Sequence, residues 1–187
     1  MIPDDYLRDD PEPVPPERVL RYWLGQEVED EEGGPDPDAL GTEPALREEL
    51  FERIPIAERA FAPDPADWYR VNLSEEVLRD LRVVVGEPEQ GWRELANDDR
   101  IESVARRIRE TDDLSALEEQ SGKDLEKVRG IADDIEDEGP QGLLVVVREG
   151  EDPAYVADGN HRAAAYLLYL LRGGEFEGQE AYLGLRE

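Results

Sequence analysis

The chain has 187 residues, enough for one domain with a sizeable core. Its 49 Asp and Glu against 21 Lys and Arg give a formal net charge of −28, so self-repulsion opposes compaction at low salt. The absence of cysteine excludes disulfides, thiolate metal sites and cysteine nucleophiles, and no apolar run is long enough to span a membrane.

The start, Met1-Ile2-Pro3-Asp4-Asp5, lacks the basic and apolar regions of a secretory signal, which predicts a cytoplasmic protein. Residues 1–66 read as an acidic, proline-rich extension in which Glu29 to Pro37 is a linker. Two short helices are expected within it. One begins after Pro16, sets Val19, Leu20, Trp23 and Leu24 on one side, and ends at Gly25. The other runs from Pro44 to Phe61 with Leu46, Leu50, Phe51 and Ile54 at helical spacing, and Pro55 kinks or ends it.

A second unit is expected over residues 67–187. Tyr69 to Leu73 alternates as a strand, and Ser74 caps a helix through Leu81, with Val83-Val84-Val85 able to continue either element. Ile101, Val104, Ala105 and Ile108 mark a helix, and Thr111-Asp112-Asp113 caps the next. Asp124 to Glu138 places Leu125, Val128, Ile131, Ala132 and Ile135 on one face before Gly139-Pro140. Leu143 to Val147 reads as a buried strand, Glu149 to Pro153 as a turn, and Ala154 to Ala157 as the return strand. Ala163 to Leu171 is an apolar helix stopped by Gly173-Gly174, and Ala181 to Leu185 is a last strand. The fold class is therefore α+β, a small mixed sheet with flanking helices.

Between the return strand and the apolar helix stands Asp158-Gly159-Asn160-His161-Arg162. A strand that delivers a glycine into a helix start leaves unpaired N–H groups at the positive end of the dipole, a place suited to phosphate. Gly159 permits close backbone approach, Asn160 and His161 add donors, and Arg162 can fork onto two phosphate oxygens. Asp158 can cap the helix or hold a metal-bound water. His161, the only histidine, is expected to be neutral at a helix N-terminus. The same residues also suit a plain helix start with His161 and Arg162 on its solvated face.

The strand followed by Asp158-Gly159-Asn160-His161-Arg162-Ala163-Ala164-Ala165 resembles the G-x-H-R-x-x-A signature of the ParB/sulfiredoxin superfamily. The helix Asp124-Leu125-Glu126-Lys127-Val128 resembles the D-x-x-K-V helix of sulfiredoxin, which puts Lys127 where that family has a phosphate-contacting lysine. The resemblance covers residues 110–187 and implies a nucleotide site (ATP or CTP, with magnesium) built from Lys127, Gly159, Asn160, His161 and Arg162. Asn160 stands where sulfiredoxin has its cysteine, which excludes sulfinic acid reduction. The chain also lacks room after the signature helix for the DNA-binding region of ParB. ParB-like kinases of free serine are similar in their D-G-x-H-R turn, and this implies NTP-dependent phosphotransfer or hydrolysis, with Asp158 and His161 catalytic, Asp158 able to act through magnesium, and a small hydroxylated acceptor. That branch also uses a glutamate base, for which Glu118 and Glu119 are candidates. Alternatives are a non-catalytic nucleotide-sensing or protein-interaction module, using the N-terminal extension towards a protein partner, and a ParB-like nuclease resting on Asp158.

Trp68 and Trp92 could stack a base but are expected as core anchors. The acidic run from Asp133 to Glu138 lacks the spacing of a calcium loop and reads as a solvated face. Arg106, Arg107 and Arg109 are the densest basic cluster, with Asp112 and Asp113 close by, which disfavours a nucleic acid partner. Of the basic residues only Lys123 and Lys127 are lysines. This acid-rich, lysine-poor composition resembles that of salt-in halophiles, and such acidity would be an adaptation to solvent rather than a sign of a basic partner.

Overall fold

The computed structural model describes residues 2, 6–61, 66–83 and 91–186. Its elements in order are β1 (Glu12–Val14), α1 (Pro16–Val28), α2 (Glu43–Arg53), α3 (Ala57–Phe61), β2 (Asp67–Leu73), α4 (Glu75–Asp80), α5 (Trp92–Leu95), α6 (Ile101–Glu110), α7 (Leu114–Ser121), α8 (Leu125–Glu138), β3 (Leu144–Glu149), β4 (Tyr155–Asp158), α9 (Asn160–Leu171) and β5 (Gln179–Arg186). The chain is thus a mixed α and β structure around one five-stranded sheet, ordered β1-β2-β5-β3-β4. β3 and β4 form the expected antiparallel hairpin, and α9 then carries the chain over the sheet so that β5 lies parallel to β3 and antiparallel to β2.

The aliphatic run at β3 has a structural reason: the strand is buried on both faces. Leu144 and Val146 point into a core shared with α4 to α9, whereas Val145 and Val147 point into a second core with Val19, Leu20, Trp23 and Leu24 of α1 and Leu46 and Leu50 of α2. Alternate side chains of a strand face opposite sides, so a strand between two helical layers is apolar at every position. The segment read as an extension supplies the whole of one of these layers, and its β1 pairs with β2 at the sheet edge.

Local chemistry sets most boundaries. Thr42, Ser74, Asp113 and Asp124 cap α2, α4, α7 and α8 through their side-chain oxygens. Pro55 separates α2 from α3. Two boundaries differ from expectation. α1 does not stop at Gly25 but runs to Val28, because one glycine inside a helix costs only about 1 kcal/mol relative to alanine and the docked apolar face outweighs it. α9 begins at Asn160, three residues earlier than the apolar run. The expectation for Val84 and Val85, and Met1 and Pro3 to Asp5 of the start, lie outside the described residues. No helix among the described residues is long and apolar enough to cross a membrane.

Candidate functional site

The end of β4 and the start of α9 meet at Gly159, whose left-handed backbone (φ 95°, ψ 25°) turns the strand into the helix. A Cβ here would lie 2.7 Å from Leu144 Cδ2 and 3.0 Å from Arg162 Nη2, so space as well as conformation requires glycine. No side chain caps α9. Its first N–H groups are left to whatever lies in front of the turn.

Arg162 is engaged on both sides. Nη2 donates to Asp158 Oδ2 at 3.0 Å, while Nη1 donates to the Tyr22 hydroxyl at 2.9 Å and to Gln26 Oε1 at 3.4 Å. Tyr22 in turn donates to the Leu143 carbonyl and accepts from the Leu143 N–H, both at 2.8 Å. The guanidinium therefore fastens α1 to the turn and to the approach to β3. The fork expected for phosphate is already occupied by protein groups.

Burial raises the Asp158 carboxyl above the ordinary carboxylate range, opposed by Arg162, the Gly159 N–H and Lys127. Glu27 of α1 is raised too, first by burial and next by repulsion from Asp158, opposed by the neighbouring Trp23 indole and then by Arg162 and Lys127. This carboxyl was missed from sequence because it lies in the helical turn beyond Gly25. The candidates Glu118 and Glu119 are elsewhere: Glu118 accepts the Leu125 and Glu126 N–H groups at 2.8 and 3.0 Å and so caps α8, and Glu119 is exposed on α7.

His161 lies edge-on to Trp92, with ring centroids 4.9 Å apart. Its pKa is pushed down to about 4 by burial and then by Lys127 and Lys123, so the imidazole is neutral above that. Burial is the leading cause, ahead of any effect of the helix end. Asn160 donates through Nδ2 to the Val156 carbonyl at 3.2 Å, and its buried Oδ1 has no hydrogen-bond partner. The amide donor is thus used within the turn, and its acceptor is buried without a partner. Lys127 is exposed at the start of α8, near enough to act on Asp158, Glu27 and His161. Trp92 is a buried member of the core, as is Trp68 in the second one.

The turn carries Asp158, Asn160 and His161, Tyr22 and Glu27 of α1 lie beside it, and Lys127 and Lys123 are near enough to lower the His161 pKa. Among the described residues no group of three or more His, Asp or Glu side chains is placed to hold a metal unaided. Comparison of the chain with protein-family models, with curated proteins and with solved structures returns no match.

Proposed function

We propose that the chain binds a nucleoside triphosphate, ATP or CTP, at the β4–α9 turn in the manner of ParB/sulfiredoxin-like proteins, and transfers its terminal phosphoryl group to a small hydroxylated acceptor or to water. The observation that carries this reading is the meeting of an uncapped helix start with Lys127, a neutral His161 and two desolvated carboxyls, Asp158 and Glu27. Phosphoryl transfer needs positioning and charge neutralisation more than covalent chemistry, and these residue types supply both.

Lys127 and the backbone N–H groups of Asn160 and His161 hold phosphate oxygens. The neutral imidazole donates a hydrogen bond to the transferring group. Glu27, raised towards neutrality, takes the proton from the acceptor hydroxyl, whose oxygen bonds to the γ-phosphorus as the nucleoside diphosphate leaves. The unfilled Asn160 Oδ1 accepts from a hydroxyl of acceptor or ribose. Magnesium is commonly held by one or two carboxylates together with substrate phosphates. Asp158 fits that pattern as a single carboxylate ligand, and a divalent cation held there would neutralise charge on the phosphates.

A sensing module without turnover is the second reading, favoured by the engagement of both terminal nitrogens of Arg162 within the protein. The two are separated by measuring ADP formation from magnesium ATP in multimolar potassium chloride, with serine and related hydroxylated acceptors. Catalysis requires turnover that falls at least about a hundredfold in Glu27→Gln while ATP affinity holds. Tight binding with no product from any acceptor or water would leave the sensing module.

A further inference from the structure

The alternation of β3 places Arg148 on the face of Leu144 and Val146, at the end of the aliphatic run and beside the core that α4 shares. There it lines a cavity of about 290 Å³ bounded by Tyr6, by α4 and by the β3–β4 turn. Drug-sized ligands occupy pockets of about 300–1,000 Å³, so an occupant of this one is smaller than a nucleotide. Ala154, which precedes β4, also lines it, so the cavity and the Asp158 turn lie at opposite ends of that strand. It is therefore separate from the proposed nucleotide site.

The aromatic wall is fixed by backbone pairing. The Tyr6 carbonyl accepts the Ser74 N–H at 3.0 Å, the Arg8 N–H donates to the Asn72 carbonyl at 2.9 Å, and Leu7 bridges to Leu73 at the end of β2. The Arg148 guanidinium lies 5.4 Å from the centre of the Tyr6 ring. Like several other arginines, Arg148 makes no ion pair among the described residues; its distinction is that it stands half-buried in the wall of a cavity. A guanidinium over a ring keeps its in-plane N–H donors available. Negative charge comes from other elements: Glu76 and Asp80 stand one turn apart on α4, and the hairpin turn adds Glu151 and Asp152. Asp80 is shared with Arg82 and Arg100 at 3.7 and 3.5 Å, whereas Glu76 makes no ion pair among the described residues. Because no group of three or more acids among the described residues is placed to hold a metal ion, these carboxylates border a space for an organic cation. Burial pushes the Tyr6 phenol up to about 12, opposed by Arg148 and reinforced by Asp80, so a neutral hydroxyl stands near both charges. Buried Val77, Leu81 and Ala154 give the cavity an apolar side.

We infer that this cavity binds a small aliphatic α-amino acid as its zwitterion: the carboxylate forks onto Arg148, the ammonium lies between Glu76 and Asp80, and the side chain rests on Val77 and Leu81. A carboxylate matches the planar fork of a guanidinium. Like charges one helical turn apart repel, and an ammonium between them relieves that repulsion. The site selects for both charges together, since the bordering acids repel a simple anion and Arg148 repels a simple cation. The inference stands without the nucleotide reading and adds a second, independent site.

The test titrates L-valine into the full chain by calorimetry in multimolar potassium chloride, beside 3-methylbutanoate, which lacks the ammonium, and 2-methylpropylamine, which lacks the carboxylate. L-Valine is expected to bind at least about tenfold more tightly than either fragment, one charge-assisted contact apart. Arg148→Met keeps an unbranched stem against Tyr6 and removes the fork, and should weaken L-valine about tenfold. Glu76→Gln changes an exposed residue that the core does not use, and should weaken L-valine about fivefold with the unfolding midpoint unchanged. A wild-type chain that binds no L-valine, a fragment that binds as tightly as L-valine, or L-valine affinity that survives intact in both variants would each overturn the site.

Discussion

The Arg162 guanidinium is bonded within the protein on both sides, to Asp158 on one and to Tyr22 and Gln26 on the other. The D-G-x-H-R pattern places it at the helix start, but its bonds to Tyr22 and Gln26 span 140 and 136 residues of sequence and leave no local trace. Its removal would strand the buried Asp158 carboxyl. Arg162→Ala is therefore expected to cost about 3–5 kcal/mol of stability and Tyr22→Phe about 1–2 kcal/mol, read by denaturant unfolding at fixed salt. A loss under 1 kcal/mol in Arg162→Ala would mean that the guanidinium is not the fastener between α1 and the turn. His161 gives a cleaner reading because it is the sole histidine. Its imidazole proton resonance should titrate with a midpoint at about 4 rather than the ordinary 6.5. Since the folded value lies below the unfolded one, His161 contributes stability that is fully present above about 6.5 and is lost as pH falls towards 4. His161→Asn should flatten the pH dependence of the unfolding midpoint across that window. Glu27 has the opposite sign. Its raised carboxyl penalises the fold once ionised, so Glu27→Gln should raise the unfolding midpoint at neutral pH even as turnover is lost, a trade expected of a functional carboxyl and not of a structural one.

At the level of elements, what could be seen in the sequence was what is written locally. The hairpin, α9 and the capped helices follow from turn residues, aliphatic runs and Ser, Thr or Asp caps. Three things were not local. β1 has only three residues and includes Pro13, so it is a strand only because β2 is there to pair with it. α1 passes through Gly25 because Val19, Leu20, Trp23 and Leu24 are fully docked, which no propensity reveals. The last turn of α1, and with it Glu27, was hidden by the same glycine. The turn at Gly159 joins β4 to α9 through a left-handed backbone. Gly159→Ala meets both a positive φ and the 2.7 Å approach to Leu144, and should destabilise by about 1–3 kcal/mol in thermal or denaturant unfolding. A neutral outcome would show that the strand-to-helix turn is looser than drawn.

For the molecule as a whole, the sheet divides two cores, and residues 12–61 supply the helices that cover one of its faces. That division explains why the first sixty residues looked like an appendage: their apolar stripes pack on one another and on a sheet most of whose strands lie beyond residue 66. It also ties the outer layer to the proposed site, since α1 brings Tyr22, Gln26 and Glu27 towards the turn. A net charge of −28 acts on all of this at once. Raising potassium chloride should increase the unfolding midpoint steadily as repulsion is screened, while every phosphate contact proposed for Lys127 and α9 is weakened by the same screening. Recognition of a triphosphate under those conditions therefore needs several contacts acting together. Calorimetric titration of magnesium ATP and magnesium CTP into the wild-type chain and Lys127→Met, in multimolar potassium chloride, examines that requirement directly. Binding of at least one nucleotide by the wild type, weakened at least about tenfold in Lys127→Met, is the expected result; a wild-type chain that binds neither, or a variant that binds as well as the wild type, would contradict the assignment of the β4–α9 turn as a nucleotide phosphate site.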